Sequence, residues 1–294
     1  AELAVEAGLP EGVFNVVTGE GHIAGEALAL SMDVDVMAFT GSGRTGRRLL
    51  DYAARSNLKR CYLELGGKSP NIIFNDAKDL AEAAKVSAAG IFRNSGQVCV
   101  AGSRLLVQED IHDDVVAAIC KHAESFRVGD PLRLDSQIGA VHSLVALETD
   151  LDFVETAEAE GAERRTGGKR ILQETGGYYM QPTVMTYVKP DSRLAQDEVF
   201  GPVLAVTPFK DEEEAVRIAN STVYGLSAGV WTADLSRAHR MIAAIRAGIV
   251  HVNTYGGSDL TLPLGGVGQS GNGHDKSLHA LEKYVNLKSA WIKL

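Results

Sequence analysis

RCYLELGGKSPNIIF, residues 60–74, decides the fold of this chain, because it places two short apolar segments on either side of a glycine pair. Residues 60–65 and 71–74 have the length and apolar content of buried strands. Glu64 interrupts the first segment with a carboxyl where a buried strand favours an apolar side chain. The glycines allow close approach of the backbone to another group, since no Cβ obstructs it. The segment predicts two strands joined at a crowded, polar turn.

Strands and helices alternate on both sides of this segment. Predicted strands cover residues 13–17, 34–39, 60–65, 71–74, 103–107, 203–208, 228–232 and 249–253, with a terminal strand at 284–294. Helical patterns cover residues 2–7 and 21–30 and recur around residues 49–54, 80–91, 111–119 and 235–245. Alternation of this kind is typical of an α/β fold with a mainly parallel sheet and helices on both faces.

Composition limits the classes of function. The 294 residues are 45% hydrophobic and 23% charged, as in ordinary soluble globular proteins. A net charge of −9, without a basic cluster, argues against nucleic acid or an anionic membrane surface as a partner. Three cysteines and no apolar leader or span predict a reducing, cytoplasmic location. The eight histidines show no metal-ligand spacing, so we expect no metal site.

Cys99, in GQVCVAG, is a candidate nucleophile. A lone cysteine is usually a small buried hydrophobe, and Cys61 and Cys120 fit that interpretation. Cys99 differs because it follows a glycine and precedes a patch of small residues. Covalent catalysis at a carbonyl needs a thiol and later a base for water, and Glu64 could be that base if burial raises its pKa. Spacing alone leaves both interpretations open.

Further segments resemble the NAD(P)-dependent aldehyde dehydrogenase superfamily, in the family's order along the chain. Besides the two segments above, they are FTGSGRTG at 39–46, DEVFGPV at 197–203, YGLSAGVWT at 224–232 and LPLGGVGQSGNG at 262–273. The tail SGNGHDKSLHALEKY, together with the first nineteen residues, is most similar to the γ-glutamyl-γ-aminobutyraldehyde and ω-aminoaldehyde branch.

The resemblance implies an aldehyde dehydrogenase-like α/β fold. Residues 1–66 would form the C-terminal part of a Rossmann cofactor domain, 67–266 the catalytic domain, and 267–294 a return helix and oligomerisation tail. It implies NAD or NADP as cofactor, a small-molecule aldehyde as substrate and a homo-oligomer. Cys99 would attack the aldehyde and Glu64 would activate the water that hydrolyses the thioester.

The resemblance also assigns the cofactor contacts. Glycine-rich turns that lead from a strand into a helix are common, so FTGSGRTG alone says little. Within the family, Gly41 and Ser42 match a pyrophosphate-binding turn, Gly66 lies where the nicotinamide approaches, and Glu198 and Phe200 match residues that hold the nicotinamide ribose.

Several positions leave alternatives open. The family's oxyanion-hole asparagine and first Rossmann strands have no counterpart in this chain, so a non-catalytic scaffold and a cofactor-independent thiol esterase remain alternative functions. Leu264 and Val267 replace usual family residues and suggest a wider pocket. Asp259 could attract a substrate amino group, although a solvated loop aspartate is the simpler interpretation. For Asn253 we expect a structural role.

Overall fold

The computed structural model describes residues 1–257 and 259–294, and the chain divides into two compact units, Ala1–Leu63 and Glu64–Leu294. The elements of the first unit are helices α1 (Glu2–Glu6), α2 (Glu26–Leu30) and α3 (Gly43–Arg55) and strands β1 (Val36–Thr40) and β2 (Arg60–Glu64), the last residue of β2 beginning the second unit. β1 and β2 pair with each other. The predicted strand, turn and helix at residues 39–46 are therefore the end of β1 and the start of α3.

The second unit contains the remaining helices and strands. In chain order they are β3 (Pro70–Ile73), α4 (Leu80–Phe92), β4 (Arg104–Gln108), α5 (His112–Ser125), α6 (Leu144–Ala159), β5 (Glu163–Thr166), β6 (Arg170–Ile171), β7 (Tyr179–Met180), β8 (Thr183–Thr186), α7 (Arg193–Gln196), β9 (Val203–Phe209), α8 (Glu212–Ala219), β10 (Ser227–Trp231), α9 (Leu235–Ala244) and β11 (Ile249–Val252). Apart from α5, the longer helices begin at side chains that accept a hydrogen bond from a first-turn amide, as Asp79 does from the Glu82 amide (2.9 Å) at α4.

A central sheet organises the second unit. Within the described residues it has seven strands in the order β11-β10-β3-β4-β9-β8-β5, and the pairs are parallel apart from the antiparallel pair β5–β8. The prediction of a mainly parallel sheet is confirmed. Because parallel strands run in one direction, the segments that follow β3 and β4 leave the sheet at the same edge.

Both faces of this sheet are covered by helices, as its sequence pattern requires. In β4, Leu105 and Val107 pack with residues of α4 and α5, whereas Leu106 packs on the opposite face with residues of α8 and α9. Side chains alternate between the faces of a strand, so an apolar residue at every position indicates burial on both sides. A further apolar cluster joins α6 and α7 to β8 and β9.

Two predicted strands are wrong. Residues 13–17 and 284–294 form no strand, and their apolar side chains lie in solvent, Val17 at 68% and Trp291 at 98% exposure. Strand-like composition is not sufficient, because a strand needs a neighbour to satisfy its backbone hydrogen bonds. No described segment supplies one at either place.

Candidate active site

Glu64 is the last residue of β2, and it is buried although it lies on the same face of the strand as the exposed Arg60. The backbone of Glu64 pairs with Gly271, and the next amide, Leu65, donates to the Ser270 carbonyl at 2.9 Å. The side chain is 8% exposed, and Oε1 has no hydrogen-bond partner among the described residues. Burial, reinforced by the negative charge of Asp275, raises the pKa of the Glu64 carboxyl to about 7. A carboxyl in this state can accept a proton from water near neutral pH.

Gly66 and Gly67, which follow Glu64, each contact a different segment of the chain. The Ser270 hydroxyl donates to the Gly66 carbonyl at 2.7 Å. A Cβ on Gly67 would lie only 2.6 Å from the backbone oxygen of Cys99. Only glycine permits that approach, so the segment next to Glu64 and the segment bearing Cys99 are in direct backbone contact.

A tight turn presents Cys99 after α4 ends. Arg93–Gly96 contains left-handed backbone at Asn94 and Ser95. The turn is tied down by the Ser95 hydroxyl, which donates to the Gly139 carbonyl at 2.8 Å, and by Tyr255, whose hydroxyl donates to the Val100 carbonyl at 2.8 Å. These side-chain anchors on both sides of Cys99 restrict its position.

The Cys99 thiol is half-buried, and three influences act on its pKa. Burial raises the pKa most, a backbone hydrogen bond from Val100 lowers it, and the negative charges of Glu198 and Glu64 raise it. Glu64 and Cys99, which are distant in sequence, are thus close enough for one charge to affect the other. Without another influence the thiol favours its protonated form.

Glu198 packs on the same glycine pair. Its Oε1 accepts a hydrogen bond from the Gly67 amide at 2.9 Å, and a Cβ on Gly66 would lie 2.0 Å from its Oε2. Phe200, two residues later, has φ of 59° and is 41% exposed. Glu198 and Phe200 line one small cavity together with residues on both sides of Cys99.

In the first unit, Gly41 and Ser42 are exposed at the start of α3. The Ser42 hydroxyl accepts a hydrogen bond from the Thr45 amide at 3.3 Å and caps the helix. The first turn of α3 has no acidic residue and contains Arg44. This helix end is therefore electrostatically suited to an anion.

The two remaining predicted positions differ in role. Asn253 has φ of 53°, and its side chain both accepts from the Thr232 amide and donates to the Thr232 carbonyl, each at 3.0 Å. This is a structural clamp between the ends of β10 and β11. Asp259 accepts from the amide and hydroxyl of Thr261 at 2.8 and 2.7 Å. It lines a larger cavity of about 500 Å³ beside β11, whose lining includes neither Cys99 nor Glu64; Ser258, its neighbour, is outside the described residues.

Two buried charged residues near the site were missed by the sequence interpretation. Lys68 is 1% exposed, its Nζ has no hydrogen-bond partner among the described residues, and burial lowers its pKa to about 7. Asp150 on α6 is also 1% exposed and is described below. The signal for Asp150 was available, because it occupies an inward position of an otherwise apolar helix face. Lys68 had no such signal, since lysines after glycines are usually on the surface.

Two further features are absent from residues 1–257 and 259–294. No group of three or more histidine, cysteine, aspartate or glutamate side chains is arranged to hold a metal ion there. None of the helices in this part combines the length and the apolar content that crossing a membrane requires.

Cys99 and Glu64 lie on neighbouring segments of a mainly parallel α/β scaffold, and a thiol with a carboxyl nearby suits covalent chemistry at a carbonyl. The aldehyde dehydrogenase family matches residues 1–290, and the chain belongs to this family. NADP/NAD-dependent aldehyde dehydrogenase PuuC of Escherichia coli (strain K12) is 50% identical over the full chain, which covers 59% of that protein.

Solved structures agree with the fold. An indole-3-acetaldehyde dehydrogenase in complex with NAD⁺ superposes with a TM-score of 0.97 at 52% identity, over 100% of this chain and 59% of that one. Gamma-glutamyl-gamma-aminobutyraldehyde dehydrogenase from Burkholderia cenocepacia gives 0.94 at 52% identity, over 98% and 58%. The expected aldehyde dehydrogenase-like fold is confirmed, and the chain spans about three fifths of the length of these relatives.

Proposed function

We propose that this chain oxidises an aldehyde to a carboxylic acid with NAD or NADP, using Cys99 as nucleophile and Glu64 as base. The observation that supports it most is the backbone contact between Gly67 and Cys99, together with the influence of the Glu64 charge on the pKa of the Cys99 thiol. Membership of the aldehyde dehydrogenase family supplies the reaction class.

Each residue has a defined role in this reaction. The Cys99 thiol gives its proton to solvent, and the thiolate sulfur attacks the carbonyl carbon to form a thiohemiacetal with a negatively charged oxygen; the Val100 amide favours the thiolate. Bound NAD or NADP supplies the acceptor for the hydride that leaves this carbon, and a thioester on Cys99 remains. Glu64 then takes a proton from water, whose oxygen attacks the thioester, releasing the acid and the Cys99 thiolate.

Each unit contains residues that the family resemblance assigns to the cofactor. At the start of α3, Gly41 and Ser42 would contact the pyrophosphate, because the amides and Arg44 there favour an anion. In the second unit, Glu198 would accept from the nicotinamide ribose hydroxyls while Phe200 limits the ring's position. The missing Cβ of Gly66 leaves room beside the Glu198 carboxylate.

An ω-aminoaldehyde is the proposed substrate class. The support is similarity to a solved gamma-glutamyl-gamma-aminobutyraldehyde dehydrogenase. Asp259 is the candidate for the substrate amino group, although its carboxylate already accepts from Thr261. Comparing aminated and plain aldehydes in wild type and Asp259→Ala tests this role, since equal losses for both substrates would remove Asp259 from substrate recognition.

We also propose a cytoplasmic homo-oligomer. The support for the oligomer is an exposed apolar tail, in which Leu287 and Trp291 are 102% and 98% exposed. The support for the location is the low cysteine content, three in 294 residues. Light scattering of the wild type and of a Trp291→Ser variant measures the state: a monomeric wild type would contradict the oligomer.

The oxidation is tested with two variants that stop it at different stages. Cys99→Ala should form no reduced cofactor from an aldehyde. Glu64→Gln should form about one equivalent of reduced cofactor per chain and then stop, because the thioester is not hydrolysed. Rapid-mixing absorbance and intact mass measure the burst and the acyl adduct. Cys120→Ala, on α5, is the control and should turn over normally.

Two outcomes would contradict this proposal. If wild type binds neither NAD nor NADP in calorimetry, a non-catalytic scaffold is the better account. If an ester is hydrolysed through Cys99 regardless of cofactor while aldehydes are not oxidised, the thiol esterase alternative replaces it.

A further inference from the structure

Asp150 occupies a position that the helical repeat of α6 assigns to the core. The residues that share its face, Leu147, Val154 and Ala157, are at most 1% exposed, and so is Asp150. Spacings of three, four and seven residues place these side chains on one stripe of the helix. A carboxyl there is costly unless it is paired or uncharged.

Within the part of the chain that the structure describes, no partner compensates this carboxyl. Neither oxygen of Asp150 has a hydrogen-bond partner among the described residues. The cations on the elements packed against α6 are engaged elsewhere: Arg193 of α7 pairs with Asp152 at 2.6 Å, and Arg164 of β5 pairs with Glu158 at 3.2 Å. Burial is the cause that raises the pKa of Asp150 to about 7. The carboxyl therefore changes charge in the neutral range without a counterion.

Asp150 packs against the backbone of the segment that bears Glu198. A Cβ on Gly201 would lie 2.1 Å from Oδ2 of Asp150, and a Cβ on Gly96 would lie 2.0 Å from the Gly201 carbonyl oxygen. Gly201 is thus packed between Asp150 and Gly96. Gly96 lies three residues before Cys99, and Gly201 lies three residues after Glu198.

We propose that Asp150 is a positioning residue for the candidate site, fixing through Gly201 the spacing between the Glu198 segment and the Cys99 turn. The uncharged carboxyl fits between the apolar face of α6 and Gly201. The ionised carboxylate needs water or a donor, which this contact excludes, so the Gly201 segment moves away and Cys99 becomes more accessible. The site is closed when Asp150 is protonated and loosened when it has lost its proton to solvent.

This inference rests on the proposed function only for the importance of Cys99, and its test needs neither cofactor nor aldehyde. The full chain is treated with iodoacetamide from about pH 5.5 to about pH 9, across the titration range of the carboxyl. Mass spectrometry follows alkylation at Cys99, with Cys120 in the same sample as reference. The variants are Asp150→Asn and Asp150→Leu, which cannot ionise, and Glu155→Gln, which removes an exposed carboxyl from the same helix.

The observable is the ratio of wild-type to variant rates at Cys99, because thiol ionisation cancels in it. For both Asp150 variants the ratio should be constant at low pH and rise severalfold through neutral pH, whereas for Glu155→Gln it should stay flat. A flat ratio for both Asp150 variants would overturn the inference. An equal rise of the rate ratio at Cys120 would also overturn it, because it would indicate general loosening of the fold. Altered thermal stability of the Asp150 variants without a change in alkylation at Cys99 would do the same, because it would indicate a purely structural role.

Discussion

At the scale of single residues, the charge on Glu64 depends on two neighbours of opposite sign. The negative charge of Asp275 raises its pKa and the positive charge of Lys283 lowers it. Asp275 and Lys283 also contact each other, and the Lys283 side chain is buried. The pKa of the candidate base therefore depends on the ion pair between Asp275 and Lys283.

This arrangement predicts opposite effects of two substitutions on the pH dependence of thioester hydrolysis. The rate should rise with pH through about 7 in wild type, because only the ionised Glu64 accepts a proton. Asp275→Asn should move this rise to lower pH and Lys283→Met should move it to higher pH. Single-turnover hydrolysis of the acylated chain measures both profiles. Shifts of the same sign in the two variants would disprove the electrostatic account.

Substitution of the two glycines after Glu64 should have different effects, one on cofactor binding and the other on stability. Gly66→Ala meets the movable Glu198 side chain, so it should weaken cofactor binding about tenfold, equal to about 1.4 kcal/mol, while the fold persists. Gly67→Ala meets the Cys99 backbone and should lower the free energy of unfolding by about 1–3 kcal/mol. Fluorescence titration with reduced cofactor and urea unfolding separate the effects.

Gly25→Ala is the matched control for both variants, because nothing lies within 4 Å of a Cβ there. It should leave cofactor binding unchanged. Equal behaviour of all three variants would show that the glycine pair has no special packing role.

At the scale of helices and strands, the sequence predicted those elements whose position follows from a local pattern of apolar residues and glycines. The strand predicted at residues 60–65, the glycine pair that follows it and the strand predicted at 103–107 correspond to β2, to the segment before β3 and to β4, since apolar runs bounded by glycine report burial directly. Residues 13–17 failed because pairing depends on a neighbour that local sequence does not reveal. Asp150 was overlooked because α6 was not recognised, and its buried carboxyl makes the helix pattern weaker.

The sheet and α4 are joined by a buried polar bridge at Asn71. Its Oδ1 accepts from the Trp231 indole N–H at 3.0 Å, and its Nδ2 donates to the Ser87 hydroxyl at 2.7 Å. Asn71→Leu should therefore cost about 1–3 kcal/mol of unfolding free energy, since Trp231 loses its acceptor inside the core. Urea unfolding measures the loss. Asn75→Ala, which removes an exposed hydrogen bond to Asp110, should cost clearly less.

At the scale of the whole molecule, buried ionisable groups make stability depend on pH in two directions. Asp150, with its pKa raised from 3.8 to about 7, favours folding at low pH and loses that contribution as pH rises through about 7. Lys68, with its pKa lowered from 10.5 to about 7, acts oppositely: folding releases its proton between these values, so stability increases as pH rises above about 7. Together they give a minimum of stability near neutral pH.

Each of the two groups accounts for one limb of the curve of unfolding free energy against pH, so each limb can be removed by one substitution. Asp150→Asn should flatten the fall in unfolding free energy below about pH 7, and Lys68→Met should flatten the rise above it. Each difference from wild type should reach a few kcal/mol, since one pKa unit corresponds to about 1.4 kcal/mol. Urea midpoints across the pH range give the two difference curves, with the exposed Glu155→Gln as control. If both curves are independent of pH, Asp150 and Lys68 do not titrate differently in the folded and unfolded chain, and their burial does not govern the pH dependence of stability.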